Sequence, residues 1–257
     1  MMENAYDRRL SALSAAMITA WQTAPNLPPI TMPDDTRASR SDAGAAAVIW
    51  GWTARVMRMG EAALLLHQNG YDVEVAPLLR SMQDHTIALP WIVEKRGRAY
   101  QTLAREKADG WSRFQQAQER GWTLEGEAAE LLKRAVEVEA DQETFSENNL
   151  LRTLHRSDAY EQGNLYQAWL VETWSTHATM VSAEPYFEVD PVSLQGRLFR
   201  AVGPDANDRR VTGSIAIAIH TTLSWYEKVN ENAFPGRLRE WEAEFVQIMR
   251  DIRLDSD

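Results

Sequence analysis

The sequence predicts an all-α fold, a multi-helix bundle of about seven to eight helices in a single domain that covers residues 1–257. Three observations predict it. Apolar residues recur at helical spacing along most of the chain, and alternating strand patterns are nearly absent. Prolines and glycines gather between the periodic segments. With 44% hydrophobic and 25% charged residues, the composition is that of an ordinary globular protein with enough apolar material for a core.

The first two helices are separated by a Pro-rich connector. Apolar spacing predicts a helix from about residue 2 to 21, followed by the connector at 24–41, whose prolines are incompatible with a helix interior. The second helix is predicted over 42–69. Asp42 is its expected N-cap, and Gly70 stands where a helix turns left-handed and stops.

The third helix, over about 72–96, is apolar on almost every side and is therefore expected at the centre of the bundle. Its interior Pro90 predicts a kink. Two charged helices, about 98–120 and 123–145, follow as an antiparallel pair that projects from the bundle with solvated outer faces.

The last part of the chain alternates helix with one irregular segment. Ser157 is the expected cap of a helix that runs through Met180. Prolines and glycines interrupt residues 184–207, where 186–189 or 197–202 are expected to be extended. Two final helices are predicted over about 208–230 and 235–253.

Charge and cysteine content exclude several classes of function. The net charge of -10 argues against a surface that attracts nucleic acid along its whole length. The absence of cysteine excludes disulfide scaffolds, thiolate metal sites and cysteine nucleophiles. No apolar stretch reaches the length of a membrane span or a secretory leader, so we expect a cytoplasmic protein without membrane contact.

The third helix carries charges that would be buried at the centre of a bundle. Arg80 and Asp84 are spaced i, i+4 and can pair with each other, and Glu61 on the preceding helix is a second candidate partner for Arg80. One hypothesis is a structural ion pair that fixes helix register. The other is a polar pocket that holds a small anion or a catalytic Arg–His pair.

The segment Arg80-Ser-Met-Gln-Asp-His85 spells R-x4-H, which resembles the motif of the HEPN-domain ribonucleases. The resemblance implies a metal-independent ribonuclease with a toxin or phage-defence role, acting as a homodimer on RNA. Arg80 would hold the scissile phosphate, and His85 would transfer the proton, since its ordinary pKa is near neutrality.

A wider pattern is similar to an uncharacterised bacterial helical family, domain of unknown function 5677. It covers a Leu-rich stretch at 60–70, the third helix at 76–91 and the segment Tyr166 to His177. Gln83 stands where the family usually has an acidic residue. The resemblance implies that Arg80 and His177 face one shared interior site.

The remaining candidates add little chemistry. His220 lies on another apolar helix and would join Arg80, His85 and His177 if three central helices converge. No metal-ligand motif or glycine-rich phosphate loop occurs, so no metal and no cofactor are expected. Six tryptophans in apolar helices are predicted to be core residues: Trp50, Trp52, Trp91, Trp169, Trp174 and Trp225.

Three hypotheses remain open. The first is the HEPN-like ribonuclease that uses Arg80 and His85. The second is a non-catalytic binding or interaction protein with an interior polar pocket around Arg80 and His177. The third is a helical scaffold with a buried ion pair.

Overall fold

The computed structural model describes residues 5–24, 37–119, 145–178, 180–190, 192, 195–199, 210–231 and 233–254. The described part is a helical bundle with one two-stranded sheet, which confirms the all-α fold class. The predicted helix at 123–145 lies almost wholly outside the described residues, as does most of the Pro-rich connector. The helices are α1 (Ala5–Thr23), α2 (Arg37–Gln68), α3 (Ala76–Lys95), α4 (Gly97–Glu119), α5 (Thr153–Ala159), α6 (Gly163–Thr176), α7 (Met180–Ala183), α8 (Arg210–Glu227) and α9 (Arg237–Leu254).

Helix α3 lies at the centre of the bundle, as its apolar sequence predicts. It packs against α2, α6 and α8, and its residues from Thr86 to Val93 are all buried. Pro77 stands in its first turn, where a missing N–H costs nothing, and Pro90 lies within the helix. Its apolar surface, which covers almost every side, therefore serves contacts to several helices at once.

Helix α2 begins five residues earlier than predicted, at Arg37, so Asp42 is not its N-cap. Instead, Asp42 Oδ1 accepts a hydrogen bond of 2.9 Å from the backbone N–H of Gly97, the first residue of α4. Asp42 therefore does cap a helix N-terminus, but that of α4, which begins 55 residues further along the chain. Gly70 ends the turn after α2 with φ of 79°, as predicted.

The single helix predicted from Ser157 to Met180 is wrong. The structure divides this segment into α5, α6 and the four-residue α7. The chain turns between α5 and α6, where Glu161 adopts a positive φ of 54° and the Gln162 N–H donates to the Ser157 carbonyl at 2.9 Å. Ser157 is consequently a buried residue inside α5 and caps nothing.

The irregular segment contains a small antiparallel hairpin. Strand β1 (Phe187–Val189) pairs with strand β2 (Gly196–Leu198), with Glu188 opposite Arg197. Strand β1 falls within the predicted extended stretch at 186–189, and β2 overlaps the alternative stretch at 197–202. Two 3₁₀ turns, Phe145–Leu151 and Glu184–Tyr186, precede α5 and β1 respectively.

The terminal helices close the bundle through polar contacts as well as apolar packing. In α8, the Thr212 hydroxyl donates to Asp7 Oδ1 of α1 at 2.9 Å, and both side chains are buried. Arg9 of α1 pairs with Glu244 and Asp251 of α9. None of the described helices is both long and apolar enough to cross a membrane.

Candidate functional site

One face of α3 is polar and meets α5 and α6. Arg80, Gln83 and Asp84 occupy positions i, i+3 and i+4, which share a face of a helix. Arg80 contacts α6, and Asp84 contacts α5. Gln83 lies between them and is fully buried. This face is the charged layer of an otherwise apolar centre.

Arg80 is held by α6 and not by a carboxylate. Its Nε–H donates to the Thr173 hydroxyl at 3.1 Å, and its guanidinium lies 5.4 Å from the centre of the Trp169 ring. Trp169 in turn stacks on Tyr166, with ring centroids 5.5 Å apart and planes 15° from parallel. The half-buried cation is therefore positioned by a hydroxyl and by a cation–π contact.

The predicted Arg80–Asp84 pair is wrong. Asp84 Oδ1 accepts hydrogen bonds from Thr153 at 2.7 Å and from Arg156 at 3.3 Å, both on α5. Burial lowers the pKa of the Arg156 guanidinium, and the neighbouring Asp84 opposes that shift. Asp84 therefore neutralises Arg156, which is more deeply buried than Arg80.

Glu61, the second predicted partner of Arg80, is also engaged elsewhere. It pairs with Arg58 on its own helix at 2.7 Å and accepts a hydrogen bond from Gln22 of α1. Neither predicted partner therefore neutralises Arg80.

A second ion pair joins α6 to α8 and was not predicted. Glu172 of α6 has a side chain only 1% exposed and accepts hydrogen bonds from Arg210 of α8 on both carboxylate oxygens. Arg210 also donates to the Asp72 backbone carbonyl at 3.3 Å. The Asp72 carboxylate contacts His67 Nδ1 at 2.5 Å, so these polar contacts extend from α2 to α8.

Gln83 is the most unusual member of the polar face. Its relative exposure is 0%, and the described residues supply no hydrogen-bond partner to its amide oxygen or its amide nitrogen. The same holds for the Ser157 hydroxyl and for Gln162 Oε1 at the turn between α5 and α6. Buried polar groups without partners cost about 1–3 kcal/mol each. A polar ligand group that supplied these hydrogen bonds would recover that free energy.

The histidines do not converge on Arg80. His85 contacts α2, with its ring 6.0 Å from Trp52, and its Nδ1 lies 2.6 Å from the Ser81 carbonyl. His220 Nε2 lies 3.2 Å from the Leu238 carbonyl of α9. His177 is exposed at the end of α6, four residues after Thr173, so a site that includes it is open and not interior.

His85 is expected to make stability depend on pH. Burial lowers its pKa below the ordinary value of 6.5. As the pH falls, the unfolded chain therefore binds a proton at His85 before the folded chain does. The contribution of the neutral His85 to the free energy of unfolding is complete above about pH 6.5 and is lost as the pH falls below that value. Urea unfolding at about pH 7.5 and pH 5.5 should show a larger loss of stability for wild type than for His85→Gln. Equal losses in the two proteins would contradict a buried, neutral imidazole.

Metal binding receives no support from the described residues, among which no group of three or more His, Asp or Glu side chains is arranged to hold an ion. Sequence reasoning identified Arg80 and missed the residues that surround it. Glu172 could have been found, because it is the one charged residue between 163 and 183 and a lone acid in an apolar segment needs a cation. Thr173 and Trp169 could not have been found, because only the folded structure brings them into contact with Arg80.

The geometry defines a helical protein with a polar layer between its central helix and α5–α6. The model of a family of unknown function, DUF5677, matches residues 46–191, which is more than half of the chain. The chain therefore belongs to this family, as the resemblance in the sequence predicts. The matched residues include Arg80, Gln83 and Thr173, whereas Arg210 lies outside them. No curated protein and no solved structure matches the chain.

Proposed function

We propose that this protein is a non-catalytic helical binding protein that holds a small anionic ligand at Arg80, between α3 and α6. One observation carries the proposal: Arg80 is a half-buried cation for which the described residues supply no carboxylate partner. A charge that is partly removed from water is costly unless it is paired. An anionic ligand would supply the missing partner.

Two other arginines, Arg156 and Arg210, differ from Arg80 because each has a carboxylate partner. Arg156 is neutralised by Asp84, and Arg210 is neutralised by Glu172. Arg156 and Arg210 lie on helices that pack against α3, and both have the carboxylate that a buried arginine normally requires. Arg80 is instead oriented by Thr173 and Trp169, which fix its direction and leave its charge uncompensated.

The surrounding groups suit a carboxylate or a phosphate group. A guanidinium binds either anion through two parallel N–H donors, and the Nε bond to Thr173 leaves the terminal nitrogens of Arg80 for that purpose. Gln83 on the same face of α3 offers a buried amide donor and acceptor. His177 stands one helical turn beyond Thr173 at the exposed end of α6.

The proposal is tested by thermal unfolding with inorganic phosphate or acetate, against sodium chloride at equal ionic strength. A ligand present at 100 times Kd stabilises the folded state by about 2.7 kcal/mol. We expect the melting temperature of wild type to rise with one of these anions and that of Arg80→Met to stay constant. Arg80→Met keeps an unbranched aliphatic side chain and removes the guanidinium, with its charge and its hydrogen bond to Thr173.

Arg58→Gln is the matched control, because this arginine is exposed and paired on the surface of α2. It should show the same anion response as wild type. An equal response in Arg80→Met would mean that the anion acts elsewhere, and no response to either anion in wild type would overturn the proposal. If Arg80→Met alone loses about 3–5 kcal/mol of stability, Arg80 is structural, as the scaffold hypothesis requires.

The ribonuclease hypothesis stays a prediction. Arg80 and His85 contact different neighbouring helices, α6 and α2, so the geometry of one chain favours it less than anion binding. Incubation of wild type and Arg80→Ala/His85→Ala with total bacterial RNA and EDTA tests it directly. RNA cleavage by wild type alone would replace the binding proposal with a catalytic one.

A further inference from the structure

Gln83 lies on the side of α3 between α6 and α8. It is three residues from Arg80, which contacts Thr173 of α6, and three residues from Thr86, whose hydroxyl lies 2.9 Å from the Thr222 hydroxyl of α8. Residues three apart on an α-helix are separated by about 60° around its axis. Gln83 therefore stands midway between these two contacts, at the junction of three helices.

The Gln83 amide is a buried polar group that the fold itself does not satisfy. It is 0% exposed, and the described residues supply no hydrogen bond to either of its polar atoms. Thr86, equally buried on the same helix, donates to the Met82 carbonyl at 2.8 Å and meets Thr222. Because buried side-chain amides are normally hydrogen-bonded, the contrast indicates that Gln83 binds a polar group from outside the chain.

Gln83 and Arg80 are close enough to contact one small molecule. Positions i and i+3 of a helix have Cβ atoms about 5–6 Å apart. Arg80 is half-buried and Gln83 is fully buried, so an anion on Arg80 would extend inward towards Gln83. The inference drawn here rests on the proposed anion binding at Arg80 and specifies the chemistry of the ligand.

The two side chains define different ends of that ligand. Arg80 carries one positive charge, which one carboxylate neutralises through two parallel N–H donors. A primary amide complements Gln83, because it donates to Oε1 and accepts from Nε2. A second carboxylate would only accept hydrogen bonds and would bury a further charge. We propose that this site binds a short carboxylate that carries a primary amide, with the carboxylate on Arg80 and the amide on Gln83.

The test is isothermal titration calorimetry of the full chain with two such molecules, succinamate and the one-carbon-longer glutaramate. Each is compared with the carboxylate in which an isopropyl group replaces the amide, which keeps the size and removes the hydrogen bonds. We expect at least one amide to bind wild type about tenfold more tightly than its analogue, because the analogue leaves Gln83 unpaired. Succinamide, which has no anion, should not bind at the same concentrations.

Gln83→Met removes the amide at nearly constant side-chain length. We expect this variant to bind each amide and its analogue equally, through Arg80 alone. It should be at least as stable as wild type in thermal unfolding, since Gln83 has no hydrogen bond within the described residues to lose. Gln101→Met is the matched control, because it makes the same replacement on α4, where Gln101 donates to the Ser41 hydroxyl at 2.9 Å. It should keep the tenfold preference.

The outcomes separate this inference from the proposed function. If phosphate or acetate stabilises wild type and not Arg80→Met, but neither amide is preferred to its analogue, the inference is overturned and anion binding stands. A preference that survives in Gln83→Met would also overturn it, because the amide would then be recognised elsewhere. If no anion binds wild type, both proposals fail.

Discussion

Replacement of Glu172 by Gln is expected to lower the free energy of unfolding by about 3–5 kcal/mol, the cost of breaking a buried ion pair. Glu172 is 1% exposed, and its carboxylate accepts both hydrogen bonds from Arg210. The neutral amide leaves the Arg210 charge without compensation. Because Arg210 retains 28% exposure and can regain some water, the loss should lie near the lower end of this range.

Urea unfolding followed by circular dichroism measures this loss. Glu244→Gln provides the control, because Glu244 pairs with Arg9 at the surface with 48% of its side chain exposed. Its midpoint should remain close to that of wild type. In the double variant Glu172→Leu/Arg210→Met, much of the lost stability should return, since an apolar pair replaces both charges. A Glu172→Gln protein as stable as wild type would show that the pair is not buried in solution.

This result would also assign the structural ion pair to residues other than those that the sequence suggests. The scaffold hypothesis assigns that role to Arg80 and Asp84, whereas the structure gives it to Glu172 with Arg210 and to Asp84 with Arg156. The i, i+4 spacing shows only that two side chains can meet. It does not reveal that Arg156, 72 residues further along the chain, is buried against the same carboxylate.

The helical fold was predictable because periodicity is a local property of the sequence. Helix α3 is apolar on almost every side, and its central position follows from that pattern alone. The break between α5 and α6 was not predictable in the same way. It depends on the positive φ of Glu161, a conformation that a non-glycine residue adopts only when surrounding contacts impose it.

The site was predictable in its centre and not in its surroundings. A charge on an all-apolar helix indicates Arg80 from sequence alone, because such a charge must be buried or paired. The groups that orient it come from α6, and no spacing rule connects residue 80 with residue 173. The convergence of Arg80 with His85, His177 and His220 is not observed, since each of the four contacts a different part of the bundle or solvent.

The tryptophans show the same boundary between local pattern and tertiary structure. Of the six predicted core tryptophans, Trp91 is fully buried, and four are half-buried. Trp174 is 56% exposed, so its assignment to the core is wrong, and Trp241 of α9 is buried without having been predicted. When a helix is apolar on every side, the hydrophobic periodicity no longer shows which side faces the core. The sequence then cannot tell which of its apolar residues are buried.

Trp91→Ala is expected to lower the free energy of unfolding by about 3–5 kcal/mol, the cost of removing a large aromatic side chain from a core. Trp91 has 0% exposure and belongs to the largest fully buried side chains of the molecule. It lies on α3, which contacts α2, α6 and α8, so the cavity would weaken several helix contacts together. Urea unfolding monitored by circular dichroism at 222 nm measures the change.

Trp174→Ala is the control with identical chemistry, because it removes the same side chain from the exposed side of α6. Its effect should stay within about 1 kcal/mol, since surface substitutions away from buried features change stability little. Comparable losses in the two variants would mean that Trp174 is covered in solution. A large difference between the two tryptophans is therefore required by the central position of α3 and by the 56% exposure of Trp174.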